Sequence, residues 1–377
     1  MTTAAVIGGG IAGTATAIAL LKAGIGSTVY EAYPTGADDA GAFLTLMHNG
    51  MDALAAIDAH EVVAAKSFAT NEVEFSYDGG ALPVQPIGSA REDLLAPRTI
   101  RRADLHRVLH DEFVRRGGTI AHGKRLASFD GGVCFTDGTR AEADFVVGAD
   151  GIHSAARRLI DPDAPEPRYA GLAVVYGYAP AAPHPAPPAT YRMIQGATAF
   201  FGYTTDPGGT TWWFARLPGA ELTGTRETTP ARWRERAAAR FDGDRNPAAE
   251  IIRATGEDVF GGNAYDVPTT PRWSSGAAVL VGDAAHAASP AAGQGASMAL
   301  EDSVVLAMCL RDEPARVDAF RRYEEIRRAR VERLVAVSGS QGAGRTTSEE
   351  ARRRETERAW LYGHHLEWSS PITASPR

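Results

Sequence analysis

The chain has 377 residues, 39 Lys and Arg against 46 Asp and Glu for a net charge of −7, and 44% hydrophobic residues. That length exceeds one small core and points to about two domains, or one large α/β domain with a substantial insertion. The acidic balance argues against nucleic acid or an anionic membrane as partner, and the distant Cys134 and Cys309 suggest neither a disulfide framework nor a zinc site. Met1-Thr-Thr lacks the basic start of a signal peptide, and no run approaches the roughly 18 apolar residues of a membrane span. The expectation is a soluble, cytoplasmic monomer or homodimer without a metal.

In chain order, residues 4–7 read as a short buried strand, followed by the glycine string 8–13, an apolar helix at 14–23 and a second strand at 27–31. That order of strand, glycine turn, helix and strand is what a parallel sheet requires. A polar loop follows, then helical spacing at 49–57 and an amphipathic helix at 101–116 with Leu105, Val108, Leu109 and Phe113 on one face. Short strands are expected near 119–121, 126–129 and 132–135, and a buried one at 144–147. From about 169 to 267, aromatic and β-branched runs separated by Gly and Pro predict a mixed or antiparallel sheet, with one helix near 232–241. The proline-rich stretch 179–188 reads as an extended loop. The earlier strand style returns at 277–281, and long helices follow at 297–310 and 317–338. The reading is a discontinuous α/β chain: residues 1–168 and 268–377 form one domain, and 169–267 is a β-rich domain inserted into it.

Three glycine-centred motifs carry the chemistry. In Gly8-x-Gly10-x-x-Gly13, the first glycine permits the tight turn, the second lets backbone approach a pyrophosphate and the third lets helix and strand pack closely. Ile11 and Ala12 lie within the same turn, and Glu31 ends the second strand, where an acid can accept hydrogen bonds from a ribose diol. Dinucleotide binding follows, without a choice between NAD and FAD; the chain has no second motif of this kind in strand-helix context. The second motif runs from Asp150 and Gly151 to Ser154 and Arg157. The third runs from Gly282 and Asp283 through His286 and Pro290 to Gly293, Gln294, Gly295 and Ala296. Here a strand ends in Gly-Asp and a helix begins just after a Gly-x-Gly loop. Asp283 can bond a polyhydroxylated chain such as ribityl, and the amides at 293–296 suit a ring that becomes anionic on reduction, as flavin does.

Together the three motifs, in this order and at these separations, resemble the single-component (group A) FAD-dependent aromatic hydroxylases, the family of para-hydroxybenzoate hydroxylase and salicylate hydroxylase. The strings GADGIHSAARR and LVGDAAHAASPAAGQGASMALEDS carry most of the likeness, which extends over nearly the whole chain. The tail at 360–363 resembles the salicylate-hydroxylase-like branch. The resemblance implies a Rossmann-like FAD domain of the glutathione-reductase type, an inserted β-sheet substrate domain and C-terminal helices. It implies FAD held by Gly8, Gly10, Gly13, Glu31, Arg102, Asp150, Gly151, Asp283 and residues 290–295, with NADPH or NADH as a transient reductant. The implied reaction uses O2 through a C4a-hydroperoxyflavin to hydroxylate or epoxidise an aromatic or polyene small molecule, such as in natural-product tailoring. Two departures stand out: Glu31-Ala32 where many relatives have Glu-Arg, and Met47-His48-Asn49 near the expected flavin front.

The cofactor supplies the hard chemistry, so no catalytic triad is required. His48 is the weak candidate for a base. His286 reads as structural. Tyr191, Arg192, Phe200, Tyr203, Trp212 and Phe214 are candidates for an aromatic substrate pocket, although strand alternation turns about half of such a set away. The arginine run 316–333, interleaved with acids, reads as a solvated helix face. A reductase or halogenase on the same scaffold and a non-catalytic FAD-holding partner are the alternatives; the halogenase Trp-x-Trp-x-Ile-Pro string is not matched by residues 212–218.

Overall fold

A computed structural model describes residues 2–34, 42–77, 80–88, 94–130, 132–225, 228–289, 293–341 and 359–372. The Ala/Val/Ile runs that lack polar alternation become a five-stranded parallel sheet, in the order Ala278–Leu280, Phe145–Gly148, Thr3–Ile7, Gly26–Tyr30, Thr119–Ala121. The first three of these strands are buried along almost their whole length, and an antiparallel ladder of Leu126–Ser128, Val133–Phe135 and Arg140–Ala141 packs against the sheet, with Phe135 4.7 Å from Tyr30 between ring centroids. The central Ala5, Val6, Val147 and Val279 are almost wholly buried.

Helix Ile11–Lys22 is buried along most of its circumference. Its Ala and Thr side chains allow close approach to helix Gly295–Asp312, and Thr16 and Ser303 hydroxyls meet at 2.9 Å across the contact. On its other flank it meets the amphipathic helix Arg102–Arg115, which buries Leu105, Leu109 and Phe113.

The aromatic runs form a second sheet of eight strands. Its path is Val259–Asp266, Arg168–Pro180, Thr210–Pro218, Phe200–Thr205, Thr190–Gln195, Glu72–Tyr77 and Gly80–Ala81, with Gln85–Pro86 paired beside Glu72–Tyr77. Strand Glu72–Tyr77 lies far ahead of the expected boundary at 169, yet it joins this sheet, in parallel with Thr190–Gln195. Its charged and aromatic residues alternate, so it has one face to bury and pairs where a core awaits it.

One face of this sheet carries Val175, Ile194, Phe201, Tyr203, Trp213 and Ala215 against Trp233, Phe241 and Ile252 under helices Pro230–Ala238 and Ala248–Arg253, a self-contained core. Its opposite face carries Tyr178, Tyr191, Trp212 and Phe214 and merges with the core of the parallel-sheet domain. Between the two sheets, a small antiparallel ladder of Phe43–Leu46, Arg98–Arg101 and Phe68–Ala69 sets Phe43 and Phe68 edge-on to Trp212.

After helix Arg316–Gln341, residues 359–372 return to the helices of the parallel-sheet domain. His365 Nδ1 lies 2.6 Å from an Asp52 carboxylate oxygen, the Leu366 N–H donates to the other, and Trp368 is flanked by Lys22 and Arg311. No described helix is long and apolar enough to cross a membrane.

Candidate active site

The first glycine turn leaves strand Thr3–Ile7 with Gly8 at φ 103°, a backbone geometry that only glycine adopts readily. A side chain at Gly8 would stand 2.4 Å from the Ala149 carbonyl oxygen, so the first motif is pressed against the second. At Gly13 a Cβ would fall 1.9 Å from the Gly8 oxygen: the helix can start over the turn only without one. Gly10 faces open space. The first intrahelical bond is Thr14 N–H to Gly10 C=O, leaving the N–H groups of Ile11, Ala12 and Gly13 without helical partners, the arrangement that receives an anion. Glu31 is buried, and its two oxygens accept the N–H groups of Gly9 at 2.7 Å and Tyr33 at 2.9 Å. It therefore holds the loop, and a ribose would compete only for its remaining lone pairs.

In the second motif, Asp150 caps helix Ala155–Ile160, accepting the Ser154 hydroxyl and the N–H groups of Ala155 at 2.7 Å and Ala156 at 3.0 Å. Arg157 is buried and donates to the carbonyls of Ile152 and Ala284, so it rivets the second motif to the third. Burial pulls its pKa down while Asp150 pushes it up. Being buried and engaged, it contributes fixed charge rather than a mobile ligand.

Gly282 has φ 59° and would place a Cβ 2.8 Å from the Ala12 methyl, so the first and third motifs also touch. Asp283, next along, is half-buried and has no hydrogen-bond or ion-pair partner among the described residues. Its Oδ1 lies 3.9 Å from the position of a Cβ on Gly295, at the start of the 18-residue helix Gly295–Asp312. The first turn of that helix presents the N–H groups of Gly295, Ala296 and Ser297, since the first intrahelical bond is from Met298 to Gln294. Gly293 and Gln294 lead into it; Pro290 lies outside the described residues. Two donor-rich helix starts and a carboxylate with no hydrogen bond or ion pair among the described residues, brought together by glycines that tolerate no side chain, fit an FAD diphosphate, ribityl chain and ring edge.

Beneath this site runs a buried charge network with no counterpart in the sequence reading. Asn49 donates to Glu301 at 2.6 Å and to Gln294 at 3.2 Å; Arg327 and Arg330 donate to Glu301, and Arg327 to Asp302 at 2.7 Å. Asp302 accepts His286 and, at 2.9 Å, the Gly282 N–H, so the buried His286 ring is tied to the helix Gly295–Asp312. Burial alone would raise the pKa of both acids, but Arg327 and Arg330 hold Glu301 low, and His286 and Arg327 hold Asp302 low. The arginine run is thus not all a solvated face. Arg327 is fully buried because two carboxylates from the facing helix compensate it, and only neighbours such as Arg321 pair at the surface.

The aromatic candidates divide by face. Register places Phe200 opposite Arg216 and Gly202 opposite Phe214, so Phe200, Trp212, Phe214 and Arg216 share one face, joined by Tyr176 and by Tyr191 on the neighbouring strand. Tyr203 is turned the other way into the Phe201–Trp213 core, because alternation gives it the parity of Trp213. Arg192 shares that other parity and pairs with Glu74. Trp212 is on the expected face but is walled in by Phe43, Phe68 and Tyr178.

The sequence reading missed two arginines here. Arg216 lies over Phe200 and Phe214, at 4.9 and 5.2 Å, and Arg101 over Tyr178 at 4.1 Å. The two-residue spacing of Arg216 from Phe214 was the available signal. Arg102 is exposed at the start of its helix, close enough to Tyr176 to act on it electrostatically. Burial raises the pKa of Tyr176 and Tyr191 further above their ordinary value than Arg216 lowers it, so both stay neutral donors.

His48 is not placed as a base. Its Nδ1 lies 2.9 Å from the Leu95 carbonyl and its Nε2 3.2 Å from that of Ile87, so both ring nitrogens face backbone carbonyls; burial lowers its pKa, and the neutral ring can donate to only one of the two.

Over residues 1–338 the chain matches the FAD binding domain family. It is 33% identical to a 3-amino-4-hydroxybenzoate 2-monooxygenase of Streptomyces cremeus, covering 99% of this chain and 98% of that one. It is 28% identical to a 6-hydroxynicotinate 3-monooxygenase of Pseudomonas fluorescens, covering 96% and 94%. The crystal structure of a single-residue variant of Klebsiella pneumoniae HpxO complexed with FAD superposes with a TM-score of 0.78 at 25% identity, over 97% of this chain and 95% of that one.

Proposed function

This chain belongs to the FAD-binding-domain family of flavoprotein monooxygenases, and within it we propose that it hydroxylates an aromatic carboxylate of the aminohydroxybenzoate kind. With FAD bound, the chemistry supplied is transfer of electrons from NAD(P)H to O2 and of one oxygen atom to the substrate. The chain's own residues bind, orient and keep water out.

Residues 1–168 and 268–377 are the FAD-holding part in this reading. Gly8, Gly10, Ile11, Ala12 and Gly13 surround the diphosphate, with Glu31 on the adenosine side. Gly282 and Asp283 meet the ribityl chain, Gly293, Gln294, Gly295 and Ala296 the ring edge, and Arg102, Asp150 and Gly151 the cofactor chain and reductant. Residues 169–267, together with strand Glu72–Tyr77, roof the substrate.

The single observation that carries the substrate class is Arg216. A guanidinium is held among Phe200, Phe214, Tyr176 and Tyr191 on the sheet face that turns toward the FAD-side domain. A planar ring can lie against those aromatics while its carboxylate takes the bidentate guanidinium bond. Neutral Tyr176 and Tyr191 offer donors to a phenol oxygen. The relatives at 33% and 35% identity act on 3-amino-4-hydroxybenzoate, a ring with that carboxylate, which supports the reading.

The test is NAD(P)H oxidation by the FAD-loaded protein with 3-amino-4-hydroxybenzoate, its carboxamide and simple phenols. Stimulation by the acid well above that by the amide is expected. Equal stimulation by acid and amide would overturn the carboxylate assignment while leaving the monooxygenase reading intact.

A further inference from the structure

The glycine string contains one residue whose role the motif spacing leaves open. Gly9 stands between the turn glycine and the pyrophosphate glycine, and both its backbone polar groups are taken from outside the loop. Its N–H donates to Glu31 at 2.7 Å, in a buried bond. Its carbonyl accepts the Thr14 hydroxyl at 3.1 Å and lies 2.6 Å from Nε2 of His110, a residue 101 positions away. A carbonyl only accepts, so Nε2 carries the proton in this contact. A Cβ at Gly9 would lie 3.1 Å from Glu31 Oε2 and 3.4 Å from His110 Nε2, so the two side chains close on Gly9.

The fold aims His110 there. It lies on helix Arg102–Arg115 four residues after His106, on the same face, and the two rings pack at 3.9 Å between centroids. That helix flanks Ile11–Lys22, whose N-terminus opens immediately after Gly9. Gly10 has no side-chain cap to offer and no neighbour within 4 Å of a Cβ position, so nothing on its own side steadies the turn.

We propose that His110 is a positioning residue for FAD: by holding the Gly9 carbonyl while Glu31 holds the Gly9 N–H, it presets the peptide planes that aim the Ile11, Ala12 and Gly13 amides at the diphosphate. The inference rests on the FAD reading of the motif. It departs from that reading in giving the loop's geometry to a side chain outside it. Preorganised donors bind an anion more tightly because no loop ordering is then required on binding.

The experiment measures FAD and ADP affinity of the apoprotein, FAD by flavin fluorescence and ADP by competition, in wild type, His110→Ala, His110→Phe and His110→Gln. Loss of one positioning hydrogen bond predicts about tenfold weaker binding of both ligands in the Ala variant. His110→Phe keeps the contact with His106 but cannot donate, and the same loss is expected there if a cavity unfolds the Ala variant. His110→Gln reaches with an amide N–H and is expected to recover affinity to within about threefold of wild type. Wild-type affinity in His110→Phe, a Gln variant as weak as the Phe variant, or weakened FAD with unchanged ADP would each overturn the proposal. Wild-type protein that binds neither FAD nor ADP would instead refute the reading of the motif itself.

Discussion

In the proposed function, backbone amides would meet the ligand at the glycine turns, whereas side chains would do so on the face shared by Tyr176, Tyr191, Phe200, Phe214 and Arg216. The first kind of site is specified by what is missing: at Gly8, Gly13 and Gly282 a Cβ would come within 2.8 Å of a neighbour. The second is specified by parity along strands and by which strands lie side by side. Substitution should therefore act differently in the two regions, all-or-none at the glycines and graded by chemistry on the sheet.

The largest effect is expected from Gly13→Ala. A methyl 1.9 Å from the Gly8 oxygen forces helix and turn apart, so FAD occupancy after purification should fall by about 100-fold or more, read from the flavin absorbance. Retained flavin would break the contrast at once.

Asp283→Ala should weaken FAD binding by tens of fold. Because the carboxylate makes no hydrogen bond or ion pair among the described residues, the thermal midpoint of the apoprotein should stay within a degree or two of wild type. A large fall in apoprotein stability would mean that Asp283 is structural.

On the sheet, Arg216→Gln should raise KM for an aromatic carboxylate by about tenfold or more and leave an uncharged analogue nearly unchanged. Tyr203→Phe, two residues along from Phe201 in the opposite core, should change KM less than twofold; a larger change would place Tyr203 in the pocket after all.

The smallest effect belongs to the C-terminal segment. Burial lowers the pKa of His364 to about 4, against an ordinary value near 6.5. The unfolded chain then binds more protons between those values, so this contribution to stability is complete above about pH 6.5 and fades as pH falls toward 4. A few degrees of Tm should disappear over that window, and His364→Gln should flatten the slope.

The contrast also accounts for what was legible in the sequence. Gly8, Gly10, Gly13, Gly282 and Asp283 were readable because backbone chemistry fixes their spacing, and the helices and strands around them appear within a few residues of expectation. Strand Glu72–Tyr77 was not, since a short strand gives no local sign of a partner 118 residues away. By sequence Tyr203 reads like Phe200 as a pocket residue because both are aromatic; only the register with Trp213 separates them. Arg327 read as one of many surface arginines, and its burial depends on Glu301 and Asp302 on another helix. Long-range pairing, rather than local propensity, decided each of these.

If a backbone-built FAD site faces a side-chain-built carboxylate site, oxygen from O2 must enter the aromatic acid. The FAD-loaded protein would be given NAD(P)H and 3-amino-4-hydroxybenzoate under isotopically heavy O2, and the product weighed. Substrate-stimulated NAD(P)H consumption and a hydroxylated product carrying one heavy oxygen atom are expected. Consumption that the acid does not stimulate, or a product without the heavy atom, would contradict that arrangement.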